Sequence, residues 1–161
     1  MSLSPLKQIH VIANPAAGQD EPILSVLNSV LRPAEVMWDI FVTHDAEDAR
    51  KYAEQAVAAG VDAVAVYGGD GTVTEAASGL IGANIPLAIL PGGTANVMSI
   101  ELGIPQKLQD AVGLLCDPTR AIRLVDMGMV GDRPFFGHVA IGLEADNATM
   151  EYRHIQLKEL P

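Results

Sequence analysis

Short β-rich runs alternate with helical patterns along the first 125 residues of the chain. Apolar and β-branched residues predict strands at about 7–13, 36–43, 62–67 and 86–90. Helical patterns occur at about 21–32, 46–59, 73–82, 95–102 and 106–116. Such alternation is typical of parallel βαβ units. It predicts an α/β fold in which a mostly parallel sheet is flanked by helices on both faces.

The helix predicted at 46–59 has the clearest periodicity. Its apolar positions recur at helical spacing and form one stripe, made of Ala49, Tyr52, Ala53, Ala56 and Val57. Gly60 follows the last of them and favours a helix end there. One side of this helix is therefore expected to pack against the sheet.

The pattern changes after Asp117-Pro118. Two β-rich runs, at 121–130 and 134–142, flank the short segment Gly131-Asp132-Arg133. This spacing predicts an antiparallel hairpin in which Gly131 supplies the positive φ of a tight turn. We therefore expect one α/β domain over residues 1–125 and the beginning of a second, β-rich domain over residues 126–161.

Two of the predicted strand-to-helix junctions are rich in glycine. The first is Gly68-Gly69-Asp70-Gly71-Thr72, and the second is Pro91-Gly92-Gly93-Thr94-Ala95-Asn96. Glycine lets backbone N–H groups approach a ligand closely, and a helix N-terminus favours an anion. Both junctions follow strands at their carboxyl ends, where open α/β sheets bind ligands. Two such loops in one sheet favour a phosphate-binding site.

A structural interpretation of the same residues stays open. Glycines after strands often only form turns, and Thr72 with Glu75 three residues later has the pattern of a capping box. Thr94 and Asn96 could likewise do no more than cap a helix. On this interpretation the loops would need no ligand.

Charge narrows the choice of partners. The formal net charge is −10, which argues against nucleic-acid binding because affinity for phosphate backbones is built largely from clustered Lys and Arg. From Tyr52 to Gln106 the sequence contains no Lys or Arg. Phosphates held by the glycine loops would therefore be neutralised by backbone N–H groups and a divalent cation, with Asp70 as the oxygen donor to Mg²⁺.

No transmembrane segment is expected, although residues 76–100 carry no charge. Gly, Pro and Asn residues interrupt this run, and its longest apolar piece, at 87–90, has the length of a strand. The single cysteine, Cys116, excludes an internal disulfide and a zinc site with several cysteines. A reducing cytoplasm is the expected location.

Three sequence blocks resemble those of the diacylglycerol kinase and sphingosine kinase family. The first glycine loop, followed by Glu75 and Gly79-Leu80, resembles the family's GGDGTxxExxxGL block. The second, running into Leu102-Gly103-Ile104-Pro105, resembles its PxGTxN...LGIP block. The opening Asn14-Pro15-Ala16-Ala17-Gly18 matches NPxxG. The blocks follow the family order over about residues 8–146, whereas GGDGT alone also occurs in NAD kinases.

The resemblance implies a lipid kinase that binds ATP between an α/β domain and a β-sandwich domain and transfers the γ-phosphoryl group to a lipid hydroxyl, as of diacylglycerol. Residues 1–125 would then be the nucleotide-binding domain, and residues 126–161 the beginning of an incomplete β-sandwich. Asp70 would bind Mg²⁺ and is the candidate catalytic residue. Whether it also acts as the general base stays open, because the resemblance to soluble bacterial diacylglycerol kinases favours a later acidic residue of the second domain for that role. The nucleotide-binding residues would be Asn14, Gly18, Gly68, Gly69, Asp70, Gly71, Thr72, Glu75, Gly92, Gly93, Thr94 and Asn96.

The sequence departs from the family pattern after the second loop. Val97-Met98-Ser99-Ile100 replaces the common Asp-Phe-Ala-Arg, which removes a cation. Phosphate binding is therefore expected to depend more on Mg²⁺ than is usual.

The resemblance also implies that the chain stops before the enzyme would be complete. The isolated chain is then expected to be inactive and to expose a sheet edge that favours a homo-oligomer. The lipid substrate would be met at a membrane surface, so the expected location is cytoplasmic with peripheral membrane association. Two alternatives remain: an NAD kinase-like enzyme, against which the PxGTxN...LGIP block argues, and a non-catalytic nucleotide-binding remnant.

Overall fold

The structure, a computed structural model, describes residues 5–17, 21–130, 133–136 and 150–151. The chain divides into two compact units, Met1–Ile122 and Arg123–Pro161. The strands of the first unit are β1 (Gln8–Ala13), β2 (Met37–Val42), β3 (Ala63–Gly68) and β4 (Leu87–Pro91). Its helices are α1 (Ile23–Leu31), α2 (Asp48–Ala59), α3 (Asp70–Ser78), α4 (Val97–Glu101) and α5 (Leu108–Cys116).

The four strands of the first unit form one parallel sheet in the order β2-β1-β3-β4. Ile9 of β1 pairs with Trp38 of β2 on one side and with Ala63 of β3 on the other. Every residue of β3 is buried, because the strand has a neighbour on each side and is covered on both faces. The predicted, mostly parallel sheet is confirmed.

Helices cover both faces of this sheet. On one face, alternate residues of β1, such as Ile9 and Val11, pack in a single core cluster with Leu27 of α1 and Val112 of α5. The intervening β1 positions point the other way. There the centroid of the His10 ring lies 4.7 Å from that of Phe41, and the Phe41 centroid lies 5.4 Å from that of Tyr52 in α2, with the rings tilted in both pairs. The prediction of helices on both faces is therefore also confirmed.

The predicted strands agree with the observed ones to within one residue at each end. The expected stripe of α2 is largely buried, with Ala49, Ala53 and Ala56 at most 1% exposed, and Gly60 ends the helix in the left-handed conformation. The prediction for α3 was wrong at both ends, because the helix runs from 70 to 78 instead of 73 to 82. Gly69 serves as its N-cap, so the helix begins within the glycine loop.

The second unit contains β5 (Gly128–Val130), β6 (Arg133–Phe135) and β7 (Met150–Glu151) in a sheet of order β6-β5-β7. β5 pairs antiparallel with β6, as the hairpin prediction requires, although both strands are shorter than the predicted runs. The predicted turn at Gly131 lies outside the described residues.

Candidate functional site

The candidate site lies at the carboxyl ends of β1 and β3, where the chain leaves the sheet in opposite directions. After β1 the chain continues through α1 to β2, and after β3 it continues through α3 to β4 on the other side of the sheet. Neighbouring strands with diverging connections leave a crevice between them, which is the usual ligand position in open α/β sheets.

Asn14 connects the loop after β1 to the loop after β3. Its backbone N–H donates to the carbonyl oxygen of Tyr67 at 2.9 Å, and its Nδ2 donates to Oγ1 of Thr72 at 2.9 Å. Its Oδ1 accepts from the N–H of Ala16 at 2.9 Å, which fixes the local turn. The side-chain amide is therefore bonded at both ends and holds the two loops together.

The first glycine loop leads directly into α3. The N–H groups of the first helical residues have no acceptor within a helix, so Asp70, Gly71 and Thr72 present three backbone donors at the beginning of α3. Gly71 is exposed, and among the described residues no atom beyond its neighbours in the chain and the backbone of its own helix lies within 4 Å of the position that its Cβ would occupy. An anion can approach this helix N-terminus, where the helix dipole favours negative charge.

The capping-box prediction for Thr72 and Glu75 is wrong. No side chain caps α3. Thr72 lies inside the helix, is 8% exposed, and accepts the hydrogen bond from Asn14. Oε1 of Glu75 accepts from the N–H of Ala49 in α2 at 3.2 Å. Both side chains therefore bond to other elements instead of to the N-terminus of their own helix.

The second glycine loop packs against the first, backbone to backbone. A Cβ on Gly93 would lie 2.5 Å from the Cα of Gly69. A Cβ on Gly92 would lie 2.9 Å from the Tyr67 ring, and the N–H of Gly92 donates to the carbonyl of Gly68 at 3.1 Å. Glycine is required at both positions because a larger residue would push the loops apart.

Asn96 closes the second loop. Its backbone is left-handed, with φ at 51°, a conformation that Asn tolerates better than most residues. Its Oδ1 accepts from the N–H of Gly93 at 2.9 Å, and its Nδ2 donates to the carbonyl of Gly93 at 2.8 Å. It occupies the N-cap position of α4, but its side chain makes no hydrogen bond to that helix, so capping by the Asn96 side chain is wrong.

Asp70 links the first loop to the segment after the second. Its Oδ1 accepts from the backbone N–H of Met98 at 3.1 Å. The sequence does not predict this contact, because its donor is a backbone group, which leaves no pattern of residue types. Nor does it predict two supporting bonds, in which Ser99 Oγ donates to the carbonyl of Asn96 and Gln106 Nε2 donates to Ser99 Oγ, both at 2.9 Å.

The structure thus brings together most of the residues that the sequence predicted for the site. Asn14 and the two glycine loops meet at one edge of the sheet, with Thr94 exposed on the second loop. Gly68 is in close contact with Thr72, since a Cβ on Gly68 would lie 2.8 Å from the Thr72 Cβ. Glu75 contacts α2, and Gly18 lies outside the described residues.

Asp70 offers a single carboxylate to a metal ion. Among the described residues, no group of three or more His, Cys, Asp or Glu side chains is arranged to hold a metal.

Within the same ranges, no helix combines the length and the apolar character needed to cross a membrane. Cys116 is partly buried, and this burial raises the pKa of its thiol, which makes it a poor nucleophile.

Comparison with known proteins identifies the family. Residues 8–130 match the family of the diacylglycerol kinase catalytic domain. The chain is 34% identical over 136 residues to a probable lipid kinase YegS-like protein of Citrobacter koseri, covering 82% of this chain and 44% of the relative. It is 34% identical over 140 residues to a diacylglycerol kinase of Mycobacterium tuberculosis, covering 83% of this chain and 45% of that protein.

A solved structure shows the same fold. The crystal structure of a diacylglycerol kinase from Bacillus anthracis superposes with a TM-score of 0.71 at 34% sequence identity. The match covers 83% of this chain and 47% of that one. The chain therefore spans a little under half the length of each of these relatives.

Proposed function

This chain belongs to the diacylglycerol kinase catalytic domain family, and we propose that it supplies the nucleotide-binding part of an ATP-dependent lipid kinase. The observation that carries the proposal is the direct contact between the two glycine loops at Gly69 and Gly93. This contact joins two backbone surfaces at the end of the sheet where ligands bind. The relatives are about twice as long as this chain. The activity of a protein of their full length is therefore part of the proposal.

The ATP phosphates would lie against the beginning of α3. Three backbone N–H groups of the first turn, from Asp70 to Thr72, are available as donors. Gly92, Gly93, Thr94 and Asn96 would form the neighbouring wall, with Asn14 and Gly18 beside the nucleotide. The absence of Lys and Arg from Tyr52 to Gln106 means that these loops neutralise phosphate charge through dipoles and not through cationic side chains.

Asp70 fits a site for Mg²⁺ that is shared with a nucleotide. Mg²⁺ keeps several water ligands and is commonly held by one or two carboxylates together with substrate phosphates. Asp70 supplies one such carboxylate at the loop, and its bond to Met98 N–H fixes the orientation of that group. When bound, the ion would neutralise charge on the phosphates.

The reaction would be an in-line transfer. The lipid hydroxyl oxygen forms a bond to the γ-phosphorus, the bond from that phosphorus to the β,γ-bridging oxygen breaks, and ADP leaves. The hydroxyl proton must pass to a base, and Asp70 is the candidate among the predicted residues. The chain's own loops would act mainly by positioning the phosphates and stabilising their charge.

Diacylglycerol or a related lipid is the proposed acceptor, by analogy with the names of the relatives. Such a substrate would be met at a membrane surface, so we also propose a cytoplasmic protein with peripheral membrane association. Homo-oligomer formation and the inactivity of the isolated 161-residue chain remain predictions.

A phosphate-transfer assay on the natural full-length protein tests the proposal. γ-labelled ATP would be offered with diacylglycerol, sphingosine or ceramide in mixed micelles, and with NAD in solution, each with and without Mg²⁺. Label in a lipid, dependent on Mg²⁺, supports the proposal. Label in NAD alone would favour an NAD kinase-like enzyme, and ATP binding without transfer to any acceptor would favour a non-catalytic remnant.

A further inference from the structure

Glu75 makes the polar contact that ties α3 to α2. Its Oε1 accepts from the N–H of Ala49 at 3.2 Å. Ala49 lies in the first turn of α2 and is 1% exposed. A first-turn N–H has no acceptor within its own helix, and leaving such a buried donor unpaired is costly. The carboxylate of Glu75 therefore satisfies a group that water cannot readily reach.

The same two helices approach closely at a second point. A Cβ on Gly79, which directly follows α3, would lie 2.5 Å from the carbonyl oxygen of Arg50 and 3.0 Å from the Cβ of Ala53. Ala53 and Ala76, one on each helix, are both 0% exposed. Small residues thus let the helices approach, and the bond from Glu75 fixes their relative position along the contact.

The opposite end of α3 carries the proposed phosphate donors. Asp70 and Thr72 form its first turn and are bonded to Met98 and Asn14, respectively. A helix moves as a rigid element, so a shift of α3 against α2 displaces the first-turn N–H groups by a similar amount. Displacements of about 1 Å in a reacting geometry can reduce rates by about 100-fold.

We infer that Glu75 is a positioning residue, which holds α3 against α2 and thereby sets the place of the phosphate donors without itself contacting nucleotide or metal. The inference rests on the proposed function. It differs from the sequence-based assignment of Glu75 to the nucleotide site. What the contact needs from residue 75 is an acceptor oxygen, and a negative charge is not required.

Two substitutions separate these roles. Glu75→Gln keeps an acceptor oxygen at the same reach but loses the charge, whereas Glu75→Ala loses both. The matched control is Glu54→Ala on α2, which removes an exposed carboxylate that forms an ion pair with Arg50. All variants would be made in the natural full-length protein. The measurements are kcat and KM for ATP, and hydrogen exchange at the backbone N–H of Ala49.

Glu75→Gln and Glu54→Ala are expected to keep kcat/KM within about threefold of the wild type. Glu75→Ala is expected to lower it at least about tenfold, or 1.4 kcal/mol, and to speed exchange at Ala49. Loss of activity in Glu75→Gln equal to that in Glu75→Ala, with slow exchange at Ala49 in both, would overturn the inference and leave the proposed function standing. A wild type without ATP-dependent transfer overturns the proposed function and the positioning role together. In that case, fast exchange at Ala49 in Glu75→Ala alone would still show that Glu75 bonds to the N–H of Ala49.

Discussion

The two glycine loops are similar in sequence but differ in how they are built. The first continues into a nine-residue helix, and its exposed Gly71 faces open space. The second is folded onto itself by the bonds of Asn96 to Gly93, and its buried glycines are surrounded by protein atoms. The first loop is therefore suited to present donors to a ligand, and the second to hold the first in place.

This difference arises from what each loop packs against. The first loop ends at a helix N-terminus, whose N–H groups remain available. In the second, the Gly93 N–H already donates to Asn96, and the Gly92 N–H donates to Gly68. Two motifs that both predict phosphate loops thus differ in structure: the first leaves donors available for the proposed ligand, and the second supports the first.

The largest loss of activity is expected when the charge of Asp70 on the first loop is removed. Asp70→Asn keeps an oxygen that can accept from Met98 N–H, so the fold should persist, but it removes the carboxylate proposed for Mg²⁺. We expect kcat/KM for ATP to fall at least about 100-fold while the free energy of unfolding changes by less than about 1 kcal/mol. Steady-state kinetics on variants of the full-length protein, as for all the kinetic predictions below, and urea unfolding measure the two quantities. Unchanged turnover would remove Asp70 from the mechanism.

A substitution between the loops should reduce both activity and stability. In Gly93→Ala the new Cβ meets the Gly69 backbone, so one loop must move, and overpacking costs typically about 1–3 kcal/mol. We expect kcat/KM to fall about 30-fold, within the range that small displacements produce.

Gly113→Ala in α5 is the matched control for Gly93→Ala. Among the described residues, no atom beyond the neighbours of Gly113 in the chain and the backbone of its own helix lies within 4 Å of the Cβ position of Gly113, and alanine in a helix is favoured over glycine by about 0.5–1 kcal/mol. This variant should be slightly more stable than the wild type by urea unfolding and equally active. Equal stability of the two alanine variants would contradict the close contact between the loops.

Opening the second loop should have a smaller effect than changing the first. Asn96→Gly keeps the left-handed backbone accessible but loses both bonds to Gly93, and Asn96→Ala also strains the backbone. We expect kcat/KM to fall about tenfold in both variants, or 1.4 kcal/mol. Asn96→Ala should be the less stable of the two in thermal unfolding. Wild-type kinetics in both would show that closure of the second loop is not needed.

The smallest effect on activity is expected from a substitution at the other end of the sheet. Asp62 lies there, remote from both loops, and serves as the reference position. Hydrogen bonds from the N–H groups of Gln8 and Lys7 hold the pKa of this carboxyl below its ordinary value of 3.8. Because the pKa is lowered in the folded state, the ionised carboxyl stabilises the fold at every pH above the ordinary pKa. This contribution disappears as the pH falls through the folded-state pKa. Asp62→Asn should therefore be less stable than the wild type at pH 7, and the gap should close in acid. Urea unfolding from pH 7 down into acid well below pH 3.8 measures this, and a change in the proposed kinase activity would contradict the separation of the two ends.

The strands and the glycine loops could be predicted because their signals are local. Runs such as Ala63–Tyr67 are apolar and β-branched, and the glycines follow directly. The beginning of α3 could not be predicted, because Thr72 and Glu75 imitate a capping box while their partners, Asn14 and Ala49, are distant in the chain. The role of Asn96 was missed for a related reason, since its left-handed backbone turns the side chain back onto Gly93.

The central place of β3 has a consequence for folding. β1 can pair with β2 early, but the site forms only when β3 inserts beside β1, which joins segments such as those around Gln8 and Asp62, 54 positions apart. Closing such long segments is slow because chain entropy opposes it until many contacts have formed. During synthesis from the N-terminus, β1, α1 and β2 emerge before β3. A nascent chain that ends before β3 therefore has only one side of the crevice and lacks Tyr67 and Thr72, the partners of Asn14. The site is therefore expected to appear late, together with cooperative closure of the whole sheet.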